Sequence, residues 1–161
     1  PSLNEVMQKV FPHTKLLIEL KGSVLMQPLL AREVVKLIKK FNAEKLCIVQ
    51  SFSAALLQAV QKESKKVEVN LLLNYQNEKL PFYVDRLPKL GNIYRFKRSN
   101  AVNPNYKYVT PEIIQEIHEK GKEIFCWTVN DIGTMRHLVE MGVDGIITNH
   151  PDKLKSLLDS I

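Results

Sequence analysis

Leu46-Cys47-Ile48-Val49-Gln50-Ser51-Phe52, then Ala54 to Glu63, then Val67-Glu68-Val69-Asn70-Leu71-Leu72-Leu73, is the stretch on which the fold turns. The first and last segments are short and almost wholly apolar, as strands covered by helices are. The segment between them reads as a helix, with Ser53 as its cap. Strand, helix and strand in so short a span are parallel strands joined by a right-handed crossover.

The same alternation extends in both directions. Upstream, Lys15 to Lys21 reads as a strand, and Leu29 to Phe41 carries Leu30, Val34, Leu37, Ile38 and Phe41 at helical spacing. Ser2 with Glu5 three residues later has the form of a capping box, so a helix is expected at once. Downstream, Pro81 to Leu87 is expected as a short helix and Asn92 to Phe96 as a weak fourth strand. Thr110-Pro111 opens a helix that Gly121 closes. A fifth strand (Ile124 to Val129), a helix (Ile132 to Met141) closed by Gly142, a sixth strand (Asp144 to Thr148) and a last helix (Asp152 to Ile161) follow. Strand centres recur about every 26 residues. That leaves a doubly wound sheet or part of a (β/α)₈ barrel. No Gly-x-Gly-x-x-Gly follows a strand, which weakens the dinucleotide-binding version of the former.

The whole chain has 161 residues, 45% apolar and 25% charged, which is globular composition. The longest apolar runs, Leu16 to Ile18 and Leu71 to Leu73, are too short to span a bilayer, so no membrane segment is expected. The net charge of +6 suits either a lysine-rich surface or a phosphate-bearing ligand. Nucleic acid is not expected as a partner. The basic residues are dispersed, and Tyr94-Arg95-Phe96-Lys97-Arg98 is the nearest approach to a basic-aromatic patch. Cys47 and Cys126 sit singly in strand-like runs and read as buried free thiols, which favours a reducing, cytoplasmic setting.

In parallel α/β folds, chemistry gathers at the C-terminal ends of strands. The first strand ends Ile18-Glu19-Leu20-Lys21, and alternation puts Glu19 and Lys21 on one face. The pair reads either as a surface ion pair or as an acidic metal ligand beside a phosphate-binding lysine. Ser51 lies at the end of the second strand without the surroundings of a nucleophile, so a hydrogen-bonded strand end and a pocket residue both stand. The fifth strand ends Trp127-Thr128-Val129-Asn130-Asp131. Trp127 is either core or pocket wall, and Asn130 or Asp131 caps the next helix or meets a ligand. The sixth ends Thr148-Asn149-His150-Pro151, a polar loop of either kind. The other histidines are His13, before the first strand, and His118 and His137, within helices. No two of the four have the spacing of an acid-base pair.

Pro1 to Val6, Leu17-Ile18-Glu19-Leu20-Lys21, Val49-Gln50-Ser51-Phe52, Trp127-Thr128-Val129-Asn130-Asp131 and Gly142 to Pro151 occur in an order and spacing that resemble the glycerophosphodiester phosphodiesterase family. The resemblance implies a TIM-type (β/α)₈ barrel that hydrolyses glycerophosphodiesters to sn-glycerol 3-phosphate and an alcohol with Mg²⁺ or Ca²⁺. It implies that Glu19 is a metal ligand, that Lys21 meets the phosphate, and that Trp127 lines the substrate pocket. The family's His-Arg-Gly strand, Glu-x-Asp strand and His-Asp motif have no counterpart here.

The expectation is therefore one incomplete barrel domain over residues 1–161, about six of eight βα units, strands three to eight, with the catalytic histidines upstream. A further expectation is that the isolated chain is inactive, and that it self-associates or pairs with a complementary N-terminal segment. The competing expectation is a non-catalytic barrel-derived binding or interaction module.

Overall fold

The computed structural model describes residues 1–73 and 99–161. They form two compact units: residues 1–72 with Ser99 and Asn100, and Leu73 with residues 101–161.

In the first unit, Ser2 caps α1 (Leu3–Val10): its hydroxyl accepts from the Glu5 N–H at 3.3 Å, and the Glu5 carboxylate accepts from the Ser2 N–H at 2.6 Å. The Ser2 N–H, and then its hydroxyl, hold the Glu5 carboxyl below its usual range. There follow β1 (Leu16–Glu19), α2 (Gln27–Lys40), β2 (Cys47–Ser51), α3 (Ala54–Glu63) and β3 (Glu68–Leu73). β2 lies between β1 and β3, both parallel to it, with Glu19 opposite Gln50 and Gln50 opposite Asn70. Alternation puts Leu20, Cys47, Val49, Val69 and Leu71 on one face, all buried, and α3 packs on β2 and α2 on α3. The other face carries Leu17, Glu19, Ile48, Gln50, Glu68 and Asn70, and it is open at β1, where Leu17 is 41% exposed. Ser99 runs beside β3: its hydroxyl accepts from the Leu71 N–H and donates to the Val69 carbonyl.

The second unit repeats the pattern with β4 (Ala101–Pro104), α4 (Pro111–Glu119), β5 (Glu123–Cys126), α5 (Ile132–Glu140), β6 (Gly145–Ile146) and α6 (Pro151–Leu158). β5 pairs in parallel with β4 and with β6. Thr110 caps α4, accepting from the Ile113 N–H, and Pro111 occupies its first turn. Gly121 and Gly142 take φ of +66° and +89° just past α4 and α5, a region that favours glycine. Val102, Ile124 and Cys126 on the strands pack with Ile114, Ile117, Met135 and Leu138 from the helices. Asp144 ties the base of this unit, accepting from the Ile124 N–H at 2.8 Å and meeting His118 Nε2 at 2.8 Å.

Consecutive strands are neighbours in each unit, the order of single winding rather than the reversal of a doubly wound sheet. The expected helix Pro81 to Leu87 and strand Asn92 to Phe96 lie outside the described residues. The strand Ala101–Pro104 was not expected. It is short and carries Asn103 and Pro104, residues that argue against a strand by pattern. Pro104 is its last residue, where a missing N–H costs least, and its carbonyl still accepts from the Trp127 N–H. The last strand is shorter than expected, Gly145–Ile146 rather than Asp144 to Thr148, although the Asp144 and Ile147 N–H groups on either side still donate to the Ile124 and Cys126 carbonyls of β5.

Gly145 has a steric role. A Cβ there would overlap the Phe125 ring, which lies opposite it on β5. Gly145→Ala is expected to lower stability by about 1–3 kcal/mol, read as a lower urea midpoint. An unchanged midpoint would show that the ring moves aside freely.

Candidate active site at the strand ends

In the first unit the C-terminal ends of β1 and β2 are bound together. The Ser51 hydroxyl is buried and donates to the Leu20 carbonyl at 2.8 Å, while it accepts from the Ser53 N–H at 3.1 Å. Its hydrogen bonds thus fix the backbone between Glu19 and Lys21. Gln27, at the start of α2, extends the tie. Its amide donates to the Gly22 carbonyl, and its carbonyl oxygen accepts from the Ser53 hydroxyl at 3.1 Å. Two loops that leave adjacent strands are held by one side chain. Gln27 was missed in the sequence, where it precedes the helical period and carries no motif.

The Lys21 ammonium stands 3.4 Å from a Glu19 carboxylate oxygen, as the shared face requires. The Lys21 side chain is 77% exposed, so the pair is worth no more than a surface ion pair, about 0–1 kcal/mol. The ammonium can therefore turn to an incoming anion at little cost. Glu19, Gln50 and Asn70 stand in one register row across β1, β2 and β3, and burial increases along it from the exposed Glu19 to the fully buried Asn70. The sequence signal for Asn70 was a lone amide in an apolar run.

In the second unit the strand ends bring Trp127 and Asn130 forward. The Trp127 indole N–H donates to the Asn103 carbonyl at 2.6 Å, which fixes the ring against β4 while leaving it partly exposed. Asn130 does not cap α5. Its side-chain oxygen accepts from the Asn149 N–H at 3.0 Å and the Thr148 hydroxyl at 3.3 Å, joining the loop after β5 to the loop after β6. Asp131 is the cap, accepting from the Thr134 N–H at 2.8 Å, and this bond holds its carboxyl below the usual range. His150 begins α6 without a capping bond from its side chain.

Neither thiol is a nucleophile at neutral pH. Burial pushes Cys126 up to about 12 and raises Cys47 as well.

Mg²⁺ and Ca²⁺ take oxygen ligands. The carboxylate of Glu19 and the carboxamide oxygens of its row have that chemistry. Among the described residues no three His, Cys, Asp or Glu side chains come together, so the row offers such a cation one charged ligand, Glu19. No helix among the described residues is long and apolar enough to cross a membrane.

Residues 1–153 match the glycerophosphoryl diester phosphodiesterase family. A glycerophosphodiester phosphodiesterase of Caldanaerobacter subterraneus subsp. tengcongensis is 28% identical over 159 residues, covering 98% of this chain and 61% of that protein. A solved structure from Silicibacter pomeroyi assigned to the same enzymes superposes with a TM-score of 0.86 at 24% identity, over 99% of this chain and 56% of the other. An Oleispira antarctica phosphodiesterase, solved with the product sn-glycerol-3-phosphate, superposes with a TM-score of 0.80 at 16% identity, over 99% of this chain and 61% of that one. These likenesses show the fold to be the expected one, that of the TIM-type barrels. The chain spans about 60% of the length of the curated relatives it matches.

Proposed function

The chain belongs to the glycerophosphoryl diester phosphodiesterase family, and we propose that it forms the phosphate-binding part of a metal-dependent glycerophosphodiester phosphodiesterase. The observation that carries this reading is the Glu19–Lys21 pair on one face at the end of β1, its backbone pinned by Ser51. A carboxylate and an exposed ammonium 3.4 Å apart supply a cation ligand and an anion seat side by side.

In this reading Glu19 holds the divalent cation together with ligands from outside these 161 residues. The cation, Mg²⁺ or Ca²⁺, neutralises phosphate charge when bound. Lys21 turns from Glu19 to a phosphate oxygen and donates charge-assisted hydrogen bonds that strengthen as negative charge grows. The resemblance to the family makes Trp127 a residue of the substrate pocket, and Asn130 joins the loops after β5 and β6. The substrate is a glycerophosphodiester and the product sn-glycerol 3-phosphate, the ligand of the Oleispira antarctica relative. The acid and base histidines come from outside these 161 residues.

Calcium titration by calorimetry tests the role of Glu19. Weak binding is expected, and Glu19→Gln is expected to reduce it about tenfold or more, the loss of the one charged ligand of the row. Equal binding by the variant would remove Glu19 from the cation site.

We also propose that the chain self-associates. Among the described residues β1 pairs with β2 alone, and its other edge invites another strand. Sedimentation is expected to show mass rising with concentration; a monomer at all concentrations would contradict this.

A further inference from the structure

Asn70 stands out on a strand that is otherwise core. It is fully buried, and among the described residues neither its side-chain oxygen nor its side-chain nitrogen has a hydrogen-bond partner. A buried carboxamide with both ends unsatisfied is costly, and an apolar residue of the same shape would fit the position with less penalty. Breaks of such local rules fall at functional or strained sites.

Its place gives a second, independent observation. Asn70 is opposite Gln50, and Gln50 is opposite Glu19, so the three share one row of the face that carries Lys21. The row holds one carboxylate and two carboxamides, and the cation of this face, Lys21, stands one alternation further along β1. Carboxamides and carboxylates suit hydroxyl groups, because each hydroxyl both donates and accepts. The carboxamides are neutral, whereas the Lys21 ammonium attracts phosphate. The row and the lysine together therefore match a molecule with a phosphate at one end and hydroxyls at the other. Adjacent strands lie about 4.8 Å apart, so the row from Glu19 to Asn70 is about 10 Å long at the backbone.

We propose that Asn70 is a binding residue for a ligand hydroxyl: it lies at the far end of the row from Glu19 and takes the polyol end of a phosphate ester whose phosphate lies at Lys21 and the cation held by Glu19. This rests on the reading of Lys21 given above and extends it to the other end of the ligand. The Asn70 side chain is covered in the ligand-free chain, so the hydroxyl reaches it only when its neighbours move aside. Its hydrogen bonds then repay the cost of the unpaired carboxamide.

The test compares wild type, Asn70→Leu and Asn70→Val for binding of sn-glycerol 3-phosphate and of inorganic phosphate, with thermal melting of each protein. The variants are expected to melt no lower than wild type. They are expected to bind sn-glycerol 3-phosphate about tenfold more weakly and inorganic phosphate as wild type does. Unchanged binding of both ligands would overturn the proposal, leaving Asn70 a purely internal residue. Equal weakening of both would overturn it too, since the loss would then lie at the phosphate. Melting well below wild type in both variants would show that the carboxamide is satisfied in the fold. Binding of neither ligand by wild type would overturn the reading of Lys21, and this inference with it.

Discussion

Incubated with glycerophosphocholine and Mg²⁺ or Ca²⁺, the 161-residue chain is expected to release no sn-glycerol 3-phosphate above background. The reason lies in where its four histidines stand. His13 precedes β1, at the opposite end of the strand from Glu19. His118 closes α4 against Asp144, below the start of β6. His137 lies within α5, and His150 starts α6. General acid and base groups contribute about 10²–10⁴ each to such reactions. A site with Glu19 and Lys21 and neither of those groups falls short by roughly 10⁴–10⁸. An assay coupled to enzymatic oxidation of the released sn-glycerol 3-phosphate measures it. Steady turnover abolished by Glu19→Gln would contradict the account, because the histidines would then be dispensable.

Much of this architecture was legible in the sequence because its signals are local. Ser2 and Glu5, Ser53, and Thr110 with Pro111 announce helix starts within four residues, and the structure shows each of those caps made. The apolar runs around Val49 and Val69 announce strands because both faces are covered. β4 was not legible. Its four residues include Asn103 and Pro104, and what makes them a strand is pairing with β5 rather than any preference of their own.

The site divides in the same way. That Glu19 and Lys21 share a face follows from alternation alone, and their 3.4 Å separation agrees. The work of Gln27 was not legible, since it depends on bringing Gly22 and Ser53 within reach of one side chain. The same holds for Asn130. Its position after β5 left it or Asp131 as the cap; Asp131 takes the cap, and register places the β6 loop beside Asn130. The polar row ending at Asn70 depends on the alignment of three strands, which no single segment encodes.

The second large effect is expected at Lys21. Hydrogen bonds to charged groups are worth about 1.5–3 kcal/mol, and a phosphate seat built on one ammonium loses that when the charge is removed. Lys21→Met keeps much of the side chain's length and apolar character. Because Lys21 is exposed and its pairing with Glu19 is weak, the fold is expected to be unaffected, with an unchanged melting temperature. Affinity for a phosphate ester is expected to drop by about 10- to 150-fold.

Titrating sn-glycerol 3-phosphate with the chain, followed by its phosphorus resonance, tests this placement of the phosphate most directly. The account predicts a saturable shift with wild type and almost none with Lys21→Met at the same concentrations. An identical titration by the two proteins would contradict it, and the phosphate would have to be sought away from the end of β1.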